Sequence, residues 1–160
     1  QNQFEGGIST PGIVHWPAGL KTEPGLIVDT PVHLIDVLPT LADLADAAIP
    51  VTHSTRLLRP ISGVSLRPIL EGQALQRSEP IYLQFANDWG LRDGDWKLVC
   101  KGQAGREVKD FGWELYNVKA DRAELRNVAD KNPEKVEALL AKWEKWAVRA
   151  KVRPWPYKTK

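Results

Sequence analysis

Between Ile81 and Val118, apolar and polar residues alternate with the period of a half-buried strand and are interrupted by turn residues. Ile81-Tyr82-Leu83-Gln84-Phe85 reads as one strand. Gly90-Leu91-Arg92-Asp93-Gly94-Asp95-Trp96-Lys97-Leu98-Val99 reads as the end of a second strand, a tight turn and the start of a third. Asp93-Gly94 supplies that turn, because glycine tolerates positive φ and a short aspartate bonds the local backbone. In the third strand Trp96, Leu98 and Cys100 fall on one face, Lys97 and Lys101 on the other, and Val99 is the exception. Trp113-Glu114-Leu115-Tyr116-Asn117-Val118 reads as a further strand. The pattern predicts an antiparallel meander of three to four strands.

Elsewhere the period lengthens. Val32, Ile35, Val37, Leu38, Leu41, Leu44, Ala45 and Ala48 recur at spacings that predict a helix over about 34–47. Pro39 either lies in its first turn or forces a bend, and His33 stands at its N-terminal cap. A second helix starts at Asn132-Pro133, with Asn as cap and Pro as first residue. Its stripe of Val136, Leu139, Leu140, Trp143, Trp146 and Ala147 docks on one face of the sheet. Ile13-Val14-His15-Trp16, closed by Pro17, reads as a short buried strand. Residues 49–80 hold four prolines and few periodic apolar positions. They read as a long connection with one helical turn at Arg67-Pro68-Ile69-Leu70, a length that suits a segment running over something larger. Gly102 to Gly112 reads as a charged loop, and Val152 to Tyr157 as an extended end pinned back on the domain.

The 160 residues suffice for one domain, or one domain plus part of another. Basic and acidic residues interleave, the net charge is only +2, and no basic stripe offers a nucleic-acid surface. No apolar run approaches the roughly 20 residues of a membrane-spanning helix. One cysteine, Cys100, excludes an internal disulfide. A start at Gln1 and the absence of Met fit a processed product or an excised piece.

Recognisable chemistry is sparse. No nucleophile elbow, P-loop, CxxC pair or HExxH motif occurs. His15 has no second His or Cys at metal spacing and reads as a core histidine. Cys100 stands beside Lys101, which would lower its pKa, but a buried inert thiol is the simpler reading. Glu5-Gly6-Gly7 marks either a surface loop or a close backbone approach. Asn87-Asp88-Trp89 offers polar groups and an aromatic on a loop positioned by the sheet, a common place for binding residues; the alternative is an ordinary solvated loop.

Five blocks in order carry a resemblance. Glu5-Gly6-Gly7-Ile8, Pro11 and Ile13-Val14-His15-Trp16-Pro17 resemble the EGG-I-x-x-P…WP block of arylsulfatase-type sulfatases, members of the alkaline-phosphatase-like superfamily. Asp36-Val37-Leu38-Pro39-Thr40-Leu41-Ala42-Asp43-Leu44-Ala45 resembles their D-x-x-PTL-x-x-LA helix. Gly63-Val64-Ser65-Leu66 with Pro68, Leu70 and Gly72 resembles G-x-SL-x-P-x-L-x-G. Leu91 to Val99 resembles the VR-x-x-x-WKLV hairpin. Glu114-Leu115-Tyr116-Asn117-Val118 with Asp121, Glu124 and Asn127 resembles ELY-D-L-x-x-D-P-x-E-x-N. Ser9, Thr10, Asp46, Ser62 and Ala120 to Arg122 depart from the usual residues of these blocks.

The resemblance implies an α+β chain. Residues 1–75 would be the last strand and helix of the catalytic α/β domain plus a connection, and residues 76–160 the C-terminal subdomain. It implies a parent that hydrolyses sulfate esters with a formylglycine nucleophile and a divalent metal, usually calcium. Cys100 is followed by Lys101-Gly102-Gln103-Ala104, so it is not the formylglycine precursor of a C/S-x-P/A-x-R motif. The nucleophile and metal ligands would lie upstream, and a lysine of the sulfate site just before Gln1. The chain alone would hold no catalytic or metal-binding residue. Asn87, Asp88, Trp89 and Arg92 are the candidate substrate contacts by position. The partners implied are the N-terminal catalytic portion and a sulfated small molecule or glycan, with no nucleic acid and no membrane. A periplasmic or secreted parent is expected, and a swapped or paired dimer of the isolated chain. The alternatives are part of a phosphodiesterase or phosphonate hydrolase on the same scaffold, or a non-catalytic α+β binding or structural module.

Overall fold

The computed structural model describes residues 3–85, 88–101 and 111–152. The chain forms two compact units. One joins Gln1–Pro11 to Glu79–Lys160, and the other is Gly12–Ser78. By packing, residues 3–11 group with the unit that begins at Glu79.

In the first unit, helix α1 (Glu5–Ile8) precedes a four-stranded antiparallel sheet. Its strands, numbered in chain order with a short hairpin of the other unit as β1 and β2, are β3 (Ile81–Phe85), β4 (Asp88–Asp93), β5 (Trp96–Lys101) and β6 (Glu114–Asn117). They lie in the order β3-β4-β5-β6, the predicted meander. The β4–β5 turn sits one residue later than expected. Asp93 pairs with Trp96, leaving Gly94-Asp95 as the two-residue loop. Gly94 has φ +59°, the conformation that a hairpin loop with glycine in first place requires. Asp88 and Trp89 belong to β4, so the loop expected there is a strand.

Register assigns the faces. Trp89 opposes Cys100, Leu91 opposes Leu98, and Leu98 in turn opposes Leu115. These residues form the core with Leu139, Trp143 and Ala147 of helix α4 (Pro133–Arg149). Pro133 opens α4 as predicted. Asn132 flanks it without a side-chain cap; its Nδ2 instead donates to the Val128 carbonyl at 2.9 Å. Trp143 is wholly buried and stacks on Trp89 with ring centres 4.8 Å apart, and Tyr82 stacks on Trp146 at the same distance. Burying aromatic pairs in this geometry adds to the apolar area they remove from water.

The other sheet face was expected to be polar, and it is not. Lys97 and Val99 are as buried as their neighbours, and Val99, Tyr116 and Val118 form a second cluster under Phe4. Strand β5 is therefore covered on both faces except at its ends.

The Gly12–Ser78 unit holds a 3-10 turn (Leu34–Asp36), helix α2 (Val37–Leu44), the hairpin β1 (Thr52–His53) and β2 (Arg56–Leu57), and helix α3 (Arg67–Leu70). His33 caps the first turn as expected. Its Nδ1 accepts from the Ile35 amide at 3.2 Å, while its own amide donates to Asp36 Oδ2 at 2.8 Å. Pro39 lies in the first turn of α2, where its missing N–H is harmless. Asp36 is fully buried. It also accepts from the Val64 amide at 2.9 Å and from the Arg77 guanidinium. Burial alone would raise its pKa, but these donors outweigh burial and hold the carboxyl below its ordinary value.

Ile13 to Trp16 correct an expectation. They form no strand, and Ile13 is 92% exposed. A buried strand needs ladder partners on its flanks, and among the described residues none pairs with this segment. The expected long connection has its helical turn at Arg67–Leu70, as α3, and also contains the β1–β2 hairpin. It is also tied down by the Val64 amide on Asp36 and the Leu66 amide on Thr40 Oγ1. The expected pinning of Val152 to Tyr157 concerns residues that, from 153 on, lie outside the described ones, as do residues 102–110 of the charged loop.

Candidate functional site

Three of the sequence blocks converge on one buried ionic cluster in the first unit. Strand alternation turns Lys97 away from the α4 face, and its register partners there are Arg92 and Tyr116. A lysine with no exposed surface carries a large desolvation cost unless its charge is met. Here two carboxylates meet it: Glu5 Oε1 at 2.8 Å and Glu124 Oε1 at 2.9 Å. Glu5 and Glu124 are themselves buried. Arg92 stands 3.7 Å from Glu5 Oε2, so two cations balance two anions.

Local structure brings the carboxylates in. Glu5 opens α1, and its backbone N–H donates to Glu124 Oε2. Glu124 has φ +55°, a left-handed conformation that non-glycine residues adopt at a cost. The preceding Asp121 holds that turn: its carboxylate accepts from the Leu125 and Arg126 amides at 3.2 and 2.8 Å. Asn127 Oδ1 accepts from the Leu115 amide at 3.1 Å, which fastens the same segment to β6. Gln3 Nε2 donates to the Asp88 carbonyl at 3.3 Å, and Phe4 meets Tyr116 edge-on at 6.0 Å. Residues 3–8 thus form a strap across the sheet face opposite α4. Burial, reinforced by the neighbouring Glu114 carboxylate, raises the Tyr116 phenol above its usual range.

The four predicted substrate contacts separate. Arg92 borders the ionic cluster and keeps about a fifth of its side chain exposed. Asp88 lies on the same face of β4, half-buried at the strand's start. Trp89 points the other way, into the core between Phe111 and Trp143. Asn87 lies outside the described residues. Lys97 was missed because a lysine alternating with Trp96 and Leu98 reads as solvated. Its signal was the apolar Val99 two residues on, which marks that face as covered.

Among the described residues no group of three or more His, Cys, Asp and Glu side chains is arranged to hold a metal ion. The carboxylates of the cluster face lysine and arginine instead. Cys100 is buried in the α4-side core.

Residues 2–149 match the family described as N-sulphoglucosamine sulphohydrolase, C-terminal. The chain belongs to this sulfatase family. Choline-sulfatase of Rhizobium meliloti is 34% identical over 139 residues, covering 82% of this chain and 23% of that protein. Steryl-sulfatase of Mus musculus is 44% identical over 82 residues, 51% of this chain and 12% of that protein. The crystal structure of Ps i-CgsB aligns with a TM-score of 0.63 at 26% identity, over 83% of this chain and 27% of that one. The chain therefore spans about an eighth to a quarter of the length of these curated relatives. The expected resemblance to arylsulfatase-type enzymes of the alkaline-phosphatase-like superfamily, and the expected α+β class, agree with these matches.

Proposed function

We propose that the parent protein hydrolyses sulfate esters and that this chain is its C-terminal scaffold rather than its reaction centre. The family match over residues 2–149 is the observation that carries this reading. The convergence of Glu5, Lys97 and Glu124, each from a separate family-like block, supports it. The residues present here do not fit the two expected cofactors. No donor set for a divalent metal exists among the described residues, and Cys100 is buried without a C/S-x-P/A-x-R context. Calcium and formylglycine accordingly belong to the remainder of the parent in this reading, which supplies the nucleophile and the positive charge at the sulfate.

The substrate is a sulfated small molecule or glycan. The relatives are named for chemically unlike esters, a steroid and choline, so the shared C-terminal region does not by itself select the alcohol. Among the described residues, Asp88 and Arg92, on one face of β4, are the predicted contacts with side chains clear of the core. The exposed Ile13, Ile27, Leu34 and Leu41 support two further elements of the proposal: the remainder of the catalytic domain as the covering partner, and pairing of copies when the chain is isolated. A periplasmic or secreted location rests on the family alone.

The test compares the full-length parent with the 160-residue chain on 4-nitrophenyl sulfate and on a phosphodiester analogue. Sulfate release by the parent only is expected. Turnover of the phosphodiester in preference to the sulfate ester, or sulfate release by the chain alone, would sink the reading.

A further inference from the structure

Two observations single out the Glu5–Lys97–Glu124 cluster as more than packing. The first is the burial of three charged side chains where apolar residues of similar size would serve stability at least as well. The second is the left-handed backbone of Glu124, a strained conformation held so that its carboxylate reaches both Lys97 and the Glu5 amide. Apolar packing is indifferent to direction. Charge-assisted hydrogen bonds are short and directional, so they fix a position.

What it fixes is the strap. Glu5 is held from both sides, by its carboxylate on Lys97 and by its amide on Glu124, and the turn Glu5-Gly6-Gly7-Ile8 closes on that anchor through the Ser9 amide to the Glu5 carbonyl at 2.8 Å. Beyond Pro11 the chain passes into the other unit and returns only at Glu79. The strap is thus the first of two places where the polypeptide is tied to the sheet unit.

We infer that Glu5, Lys97 and Glu124 are positioning residues: they lock the strap in one place on the sheet, and through it hold the parent's reaction centre in register with this C-terminal region. The inference rests on the hydrolase reading for its catalytic part, since the curated relatives extend far beyond the matched region. None of the three residues is a catalytic residue. Each acts through the backbone it holds, and a displacement of about 1 Å at a reacting group costs on the order of a hundredfold in rate.

The experiment uses the full-length parent with Lys97→Met, Glu124→Gly and Leu139→Ala. Glycine adopts the Glu124 backbone conformation without strain, so Glu124→Gly deletes the carboxylate without adding backbone strain. Leu139→Ala is a core change on the opposite sheet face. With 4-nitrophenyl sulfate, Glu124→Gly is expected to lower kcat tenfold or more at a temperature where it is still folded, although losing one partner of the buried lysine also lowers its Tm. Leu139→Ala is expected to lower Tm and leave kcat within twofold at a temperature where it is folded. Hydrogen exchange supplies a readout independent of activity: the Gly7 and Ser9 amides should exchange at least tenfold faster in Glu124→Gly, with β4 and β5 amides unchanged. Unchanged exchange in the strap overturns the lock. Faster exchange with wild-type kcat, or a kcat loss that merely follows Tm in all three variants, overturns its catalytic role. A wild-type parent without sulfate-ester turnover defeats the hydrolase reading, and the exchange result still decides the lock.

Discussion

Gly63 lies against Ile35 so closely that a Cβ added to it would sit 2.1 Å from the Ile35 carbonyl oxygen. The obstacle is backbone and cannot swing away. This contact lets the loop carrying Val64 and Leu66 run beside the start of α2, where Asp36 and Thr40 receive their amides. Gly63→Ala is expected to destabilise the Gly12–Ser78 unit by about 1–3 kcal/mol, the usual range for forced overpacking. Loss of exchange protection at the Val64 and Leu66 amides, with the sheet unit unaffected, is the matching observation.

Lys97→Met leaves Glu5 and Glu124 buried without their shared cation. Removing one partner of a buried ionic group costs about 3–5 kcal/mol. Urea denaturation should show that loss in the sheet unit. Replacing Lys97 together with both glutamates by apolar residues should return most of it, because only Arg92, which keeps about a fifth of its side chain exposed, then carries a charge in the cluster. A triple variant less stable than Lys97→Met would contradict this account.

Trp143 sits at the centre of the aromatic cluster, between Trp89, Trp113 and Trp146. Trp143→Ala is expected to cost about 3–5 kcal/mol, the range for deleting a buried aromatic. Near-UV circular dichroism should collapse along with stability. The exposed Val148 on the same helix is a control, and Val148→Ala should change stability by less than about 0.5 kcal/mol.

Asp36 gives a pH dependence of defined sign. Its folded-state carboxyl lies below the ordinary 3.8, because the Arg77, Val64 and His33 donors outweigh the effect of burial. A lowered pKa contributes stability that is fully present above the unfolded value and is lost as pH falls through the folded one. The Gly12–Ser78 unit should therefore weaken progressively below about pH 4. Asp36→Asn should be less stable at pH 7 and show a flatter acid limb. Equal acid limbs in the two proteins would rule out Asp36 as the source.

Elements governed by short-range periodicity were legible in the sequence. The meander, the start of α4 at Pro133 and the cap at His33 all follow from residues within one or two turns of each other. What escaped depends on distant partners. Lys97 reads as solvated until Glu5, 92 residues away, is placed over it. Ile13 to Trp16 reads as a buried strand because its composition is apolar, yet Ile13 and Val14 are left 92% and 56% exposed. The β1–β2 hairpin, two residues per strand, is too short to leave a periodic signal. Of the proposed substrate contacts, Trp89 was singled out by residue type, and only the register of β4 with β5 reveals that its ring turns inward.

The split of the sheet unit across the sequence bears on how the protein is made. Glu5 leaves the ribosome long before Lys97, and Glu124 follows later still. At synthesis rates of about 5–20 residues per second the strap waits on the order of 5–20 seconds for its lysine. During that interval its glutamate is hydrated and its turn has no anchor. The strand carrying Lys97, the one carrying Tyr116 and the turn carrying Glu124 must emerge before residues 3–8 can settle, so this region matures from its far end backwards.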